Sequence, residues 1–147
     1  MEQRIKIDQT APQAYKAMLG LEGFLANAEL SKSLKELIKI RASQINNCAY
    51  CIDMHTKDAL KNGETANRIF LISAWKEAIG IFSEEEQVVL EMTEEITQIS
   101  QHGLSEKTYH KASKFFSDKQ LAEIIMAVIT INSWNRIAVS THLLIGE

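Results

Sequence analysis

The chain of 147 residues is 46% hydrophobic and 24% charged, with a formal net charge of −3; this suits one domain over residues 1–147 that buries its core without staples. The slightly acidic balance excludes the basic stripe that a nucleic-acid partner requires. The longest uncharged apolar-rich stretch, Ile124 to Trp134, falls short of the roughly 20 residues that cross a membrane, so it is read as a buried helix and no membrane partner is expected.

No apolar run follows Met1-Glu2-Gln3-Arg4-Ile5-Lys6, so no signal peptide is expected and the location read is cytoplasmic. In that reducing medium two cysteines are poor candidates for a structural staple. The chain has only 6 Gly and 1 Pro and no period-2 run. The expectation is an all-α, single-domain helical bundle of about seven helices.

Thr10-Ala11-Pro12-Gln13 reads as the first helix start, with a Thr cap and Pro in the first turn, and the helix runs to about Asn27. Ser33-Leu34-Lys35-Glu36 offers a second capping box, followed by Leu34, Leu37, Ile38 and Arg41 on one face. Asn46-Asn47 interrupts the pattern, because Asn prefers caps to helix interiors. A third helix is expected from Cys48 to near Gly63, and a fourth from Ala66 to Gly80. Ser83-Glu84-Glu85-Glu86 opens a fifth, its acids suited to the positive end of the helix dipole, and it reaches Gly103. A shorter helix spans about Ser105 to Phe116, and the last and longest runs from near Asp118 to Leu144.

The chemistry concentrates in Asn47-Cys48-Ala49-Tyr50-Cys51-Ile52-Asp53-Met54-His55. Residues three apart lie on one helical side, near enough for Cys48 and Cys51 to close a small disulfide ring. With Asn47 as the cap, both thiols fall in the first turn, where unpaired N–H groups and the dipole favour a thiolate. His55 follows Cys51 by four residues, one turn further along the same face, where an imidazole can take or return a proton. Glu36 lies on the preceding helix, and an antiparallel fold-back brings it over His55 or Cys48 to orient the imidazole. Other readings of these residues are a zinc site of Cys48, Cys51, His55 and a carboxylate, or two inert buried cysteines.

The pattern Glu36, eleven residues, Cys48-x-x-Cys51, three residues, His55 resembles the alkylhydroperoxidase D-like (AhpD-like) proteins of the carboxymuconolactone decarboxylase superfamily. The match extends to Asn46-Asn47, Asp53-Met54-His55-Thr56, Trp75-Lys76-Glu77 and Ile131-Asn132-Ser133-Trp134-Asn135-Arg136-Ile137-Ala138. The resemblance implies an all-α fold assembling into homo-oligomers, trimers or hexamers, and a thiol-dependent peroxidase acting on hydrogen peroxide or organic hydroperoxides. It implies that Cys51 attacks the peroxide, Cys48 closes the disulfide, and His55 with Glu36 relays protons. No bound cofactor or metal is implied. The partner implied is an external dithiol reductant, either a protein or a small molecule. Tyr50 stands where the peroxidase branch of the family carries a His; a phenol there can donate a hydrogen bond but does not shuttle protons near neutral pH.

Trp134, Asn132, Asn135 and Arg136 are read either as site or subunit-contact residues or as core, and Trp75 with Glu77 as structural. His102, His110 and His142 are read as surface residues. The function read is the peroxidase; the alternatives are a thiol–disulfide reductase or redox sensor, and a non-catalytic helical assembly protein.

Overall fold

The computed structural model describes residues 2–146; Met1 and Glu147 lie outside them. Eight α-helices and one 3-10 turn account for the regular structure, with no strand among the described residues. They are α1 (Ile7–Thr10), α2 (Pro12–Ala26), α3 (Lys32–Ile45), α4 (Ala49–Lys61), α5 (Ala66–Leu71), the 3-10 turn Ile72–Ala74, α6 (Glu84–Thr97), α7 (Glu106–Ala112) and α8 (Asp118–Thr141). None is long and apolar enough to cross a membrane.

The starts of these helices follow side-chain chemistry, with three corrections. Thr10 does not cap α2: it is the last residue of the one-turn α1, and Ala11 (φ −135°, ψ 62°) breaks the two apart. The ring of Pro12 disfavours a helical residue before it, so the break falls where Pro demands it. Ser33 does not cap α3. That role belongs to Ser31, whose hydroxyl accepts from the Leu34 N–H. Glu36 is thereby free of any capping box, and its carboxylate faces elsewhere. Asn47 does not cap α4, as described below.

Ser83 with Glu86 and Ser117 with Gln120 close complete capping boxes on α6 and α8, and Ser105 caps α7. Three ends differ from expectation. The fourth helix stops at Leu71 and tightens into the 3-10 turn; the turns that follow bring the Trp75 indole N–H onto Glu94 Oε1 at 2.8 Å. The fifth ends at Thr97 instead of Gly103, and Gly103 takes φ 67° in the loop beyond. The last ends at Thr141, where His142 adopts a left-handed cap.

Helix α3 is the centre of the bundle, packed against α4, α6 and α8. Leu37, Ile38, Ile40 and Ala42 are buried on it, meeting Val88, Val89, Leu90 and Met92 of α6 and Ile124, Ala127, Val128 and Ile131 of α8. Each fully buried Leu or Ile contributes about 1.5–3 kcal/mol, which is why a 24-residue α8 threads the core where it cannot be wetted. Polar groups inside are matched: the Glu123 carboxylate accepts the Glu29 and Leu30 N–H groups and so fixes the α2–α3 turn.

Candidate active site

The site begins at the reversal between α3 and α4. Asn46 caps the end of α3, and Asn47 follows in the left-handed region at φ 53°, a conformation Asn tolerates better than most residues. The Asn47 N–H reaches the Gln44 carbonyl at 3.2 Å, and the Cys48 N–H reaches Ser43 at 2.9 Å. These two bonds are a Schellman motif, which satisfies the last carbonyls of α3. Cys48 is therefore at once the residue that closes α3 and the N-cap of α4: its Sγ accepts from the Cys51 N–H at 3.3 Å. Cys48 and Cys51 are joined as a disulfide with their Cα atoms 5.3 Å apart.

A buried amide network holds this turn in place. Asn46 Nδ2 donates to Asn132 Oδ1 and Asn135 Oδ1, both at 2.9 Å. Asn135 donates on to Ser43 Oγ and Asn132 to Thr97 Oγ1, while Arg136 donates to the Asn132 side chain. Asn132 and Asn135 do not border the Cys51 cavity, and each has hydrogen-bond partners. They fasten the cysteine turn to α8, and every member is satisfied, the condition under which a buried network stabilises.

One turn beyond Cys51, His55 is 5% exposed and Glu36 is 9% exposed. The antiparallel pairing of α3 and α4 brings Glu36 Oε2 to 3.0 Å from His55 Nδ1. The contact is to His55, not Cys48. A carboxylate on Nδ1 holds the ring so that Nε2 is the nitrogen left for a second partner. Cys51, His55 and Tyr50 border one cavity of about 470 Å³, which Cys48 does not border. Trp134 and Tyr15 form its aromatic wall, edge to face at 5.4 Å between ring centroids. The N-terminal segment closes one side, tied by the Arg4 N–H to the Thr141 carbonyl.

Two charged residues that sequence reasoning passed over complete the arrangement. Lys39 Nζ stands 3.7 Å from Glu36 Oε1 and 3.8 Å from Glu22 Oε2, and Glu22 Oε1 accepts the Trp134 indole N–H at 2.9 Å. The i, i+3 spacing of Glu36 and Lys39 was visible in the sequence; the approach of Glu22, on another helix, was not. Trp75 belongs to a different cluster, on Glu94 instead of Glu77. His102, His110 and His142 lie outside the cavity. Among the described residues no group of three or more His, Cys, Asp or Glu side chains is placed to hold a metal ion.

Residues 12–95 match the carboxymuconolactone decarboxylase family. YdfG, an uncharacterised protein of Bacillus subtilis (strain 168), is 39% identical over 140 residues, 95% of each chain. A protein of unknown function from Agrobacterium tumefaciens, described as a candidate antioxidant-defence protein AhpD, superposes with a TM-score of 0.95 at 34% identity over 99% of both chains. The AhpD core of an uncharacterised peroxidase-related protein from Ralstonia eutropha JMP134 shares the fold, with a TM-score of 0.81 at 16% identity over 93% of this chain and 73% of that one.

Proposed function

From the premise that the chain belongs to the carboxymuconolactone decarboxylase family, in its AhpD-like form, we propose that it is a thiol-dependent peroxidase working through Cys51 and Cys48. The observation that carries this reading is that Cys51 and His55 border the same cavity while Glu36 sits 3.0 Å behind the imidazole. The reduced Cys51 thiolate attacks one oxygen of ROOH, the O–O bond breaks, and Cys51 becomes a sulfenic acid. The departing RO⁻ takes a proton from His55 and leaves as ROH, water when the substrate is hydrogen peroxide. The Cys48 thiol then attacks the Cys51 sulfur, which expels water and forms the disulfide. An external dithiol, protein or small molecule, restores both thiols, and no bound cofactor takes part.

A cytoplasmic, reducing medium suits that cycle. Exposed apolar side chains such as Phe70, Ile79 and Val139 support self-association into a homo-oligomer. Tyr50 borders the cavity with a phenol that can donate a hydrogen bond, and the proton duty is assigned to His55, which Glu36 orients.

The deciding experiment is stopped-flow peroxide consumption by the pre-reduced protein, with thiols counted before and after. Loss of both thiols faster than a free thiol reacts is the expected result. Loss no faster than a free thiol overturns the peroxidase and leaves the thiol–disulfide reductase, which the same disulfide would serve.

A further inference from the structure

Glu36 and His55 belong to different cavities. His55 borders the one of about 470 Å³ that holds Cys51, and Glu36 does not. Glu36 borders a second one of about 280 Å³, lined also by Lys32, Lys35 and Lys61, which His55 does not reach. The bond between them therefore crosses a partition. Glu22, Lys39 and Asp58 border both cavities and form that partition.

Lys39 is the cation at its centre. Its side chain is 14% exposed, yet its ammonium has no hydrogen-bond partner among the described residues. It stands instead between the Glu36 and Glu22 carboxylates at 3.7 and 3.8 Å. A lysine serving only as a surface ion pair would be wetted and would contribute little. This one keeps only 14% of its side chain exposed, and a charge at a partly buried position acts more strongly on its neighbours than one in open water.

We infer that Lys39 is a positioning residue for the Cys51 site: it holds the Glu36 carboxylate toward His55 and supplies the fixed positive charge that sets the pH at which the Cys51–His55–Glu36 group gives up its protons. The inference rests on the Cys51 reading above. The charges facing this group are Glu22 from α2, Lys39 from α3, Asp58 from α4 and Lys6 and Asp8 from the N-terminal segment on the Cys51 side, with Lys32 and Lys35 from α3 and Lys61 from α4 on the Glu36 side. Of the lysines bordering the Cys51 cavity, Lys39 is the one that forms an ion pair with Glu36. It acts through Glu36, and no contact with the reacting sulfur is required of it. Glu22 balances it from the other side and is itself fixed by Trp134, so the aromatic wall and the proton-carrying pair are linked through a single ammonium.

The test uses iodoacetamide on the reduced full chain in a Cys48→Ser background, so that Cys51 alone reports, with no peroxide present. Alkylation rate is followed against pH. Removing a nearby positive charge favours every protonated form, so Lys39→Met moves the midpoint of the profile up by about one pH unit. Lys39→Arg keeps the charge and leaves the profile in place. Glu22→Gln removes the competing anion and moves the midpoint down. A merely structural role would not shift two variants in opposite directions. A Lys39→Met profile that superimposes on its parent overturns the inference, as does a Lys39→Arg profile displaced equally far. Should Lys39→Met fail to fold, Glu22→Gln decides: no displacement, or an upward one, refutes the assignment. If the parent alkylates like a free thiol at every pH, the Cys51 site reading fails and the role of Lys39 falls with it. A parent that is activated while the variants do not shift overturns Lys39 alone.

Discussion

Glu36 and His55 are separated by 19 positions in the chain, yet Oε2 and Nδ1 lie 3.0 Å apart in the interior. Glu36→Gln keeps the shape and removes the charge. It should lower peroxide consumption by about 10–100-fold, and His55→Ala by about 100-fold or more, the range for loss of a positioned acid–base group. Both variants should retain a free-thiol level of reaction with the peroxide. An undiminished rate in His55→Ala would remove the imidazole from the mechanism.

Loss of Cys51 should abolish sulfenate formation, because Cys51 is the sulfur that borders the cavity. Cys48→Ser should accumulate a trappable sulfenate that cannot close. Dimedone labelling followed by mass spectrometry reads both. Label retained in Cys51→Ser would reverse the two roles.

Reduction should also be directional. A monothiol RS⁻ entering the cavity attacks Cys51, the S–S bond breaks, and Cys48 departs as a thiolate at the helix N-cap, where the Cys51 N–H already meets its sulfur. Treating the oxidised protein with limiting 2-mercaptoethanol, then alkylating and mapping by mass, should place the mixed disulfide on Cys51 and the alkyl group on Cys48. The opposite distribution would show that the reductant reaches the pair from another side.

Asn46→Ala removes the donor shared by Asn132 and Asn135. Leaving buried amide oxygens without that partner costs about 1–3 kcal/mol, a fall in the thermal midpoint of roughly 2–4 °C per kcal/mol at this chain length. Since the network fastens the cysteine turn, disulfide closure after peroxide treatment should slow as well. A variant that melts early but closes at the parental rate would confine the network to stability.

Glu94 supplies a pH test remote from the cysteines. Burial alone would push its carboxyl up, but hydrogen bonds from Lys76, Trp75 and Arg41 outweigh that and hold it below the ordinary value. A carboxyl lowered in the folded state stabilises the fold above its unfolded value, and that contribution is lost as the pH falls through the lower folded value. Glu94→Gln should therefore be less stable than the parent at neutral pH, with the gap narrowing in acid. Thermal midpoints measured across the acid range check this, and a gap independent of pH would show that the charge of Glu94 contributes nothing.

The helical class, the helix start at Ser83 and the Cys48-x-x-Cys51 pair with His55 one turn on are local properties, written in spacing and in which residues cap a helix. These were legible from the chain alone, as was the pairing of Glu36 with that segment in outline. Local signals misplaced the caps at Thr10, Ser33 and Asn47 because several residues at each start satisfy the same preference. The choice among them depends on which N–H groups the neighbouring chain leaves unpaired. For Asn47, the Schellman bonds that close α3 took the residue before α4 could use it.

What only the tertiary structure decided is which side chains from distant segments line one cavity. Glu22, Lys39 and Trp134 come from three helices, and no periodicity along the chain links them. Nor could spacing tell which cysteine faces the cavity or that Glu36 and His55 stand on opposite sides of a partition. Helix periodicity sets the direction of a side chain about its own axis. The packing of α2, α3, α4 and α8 against one another sets what that side chain meets.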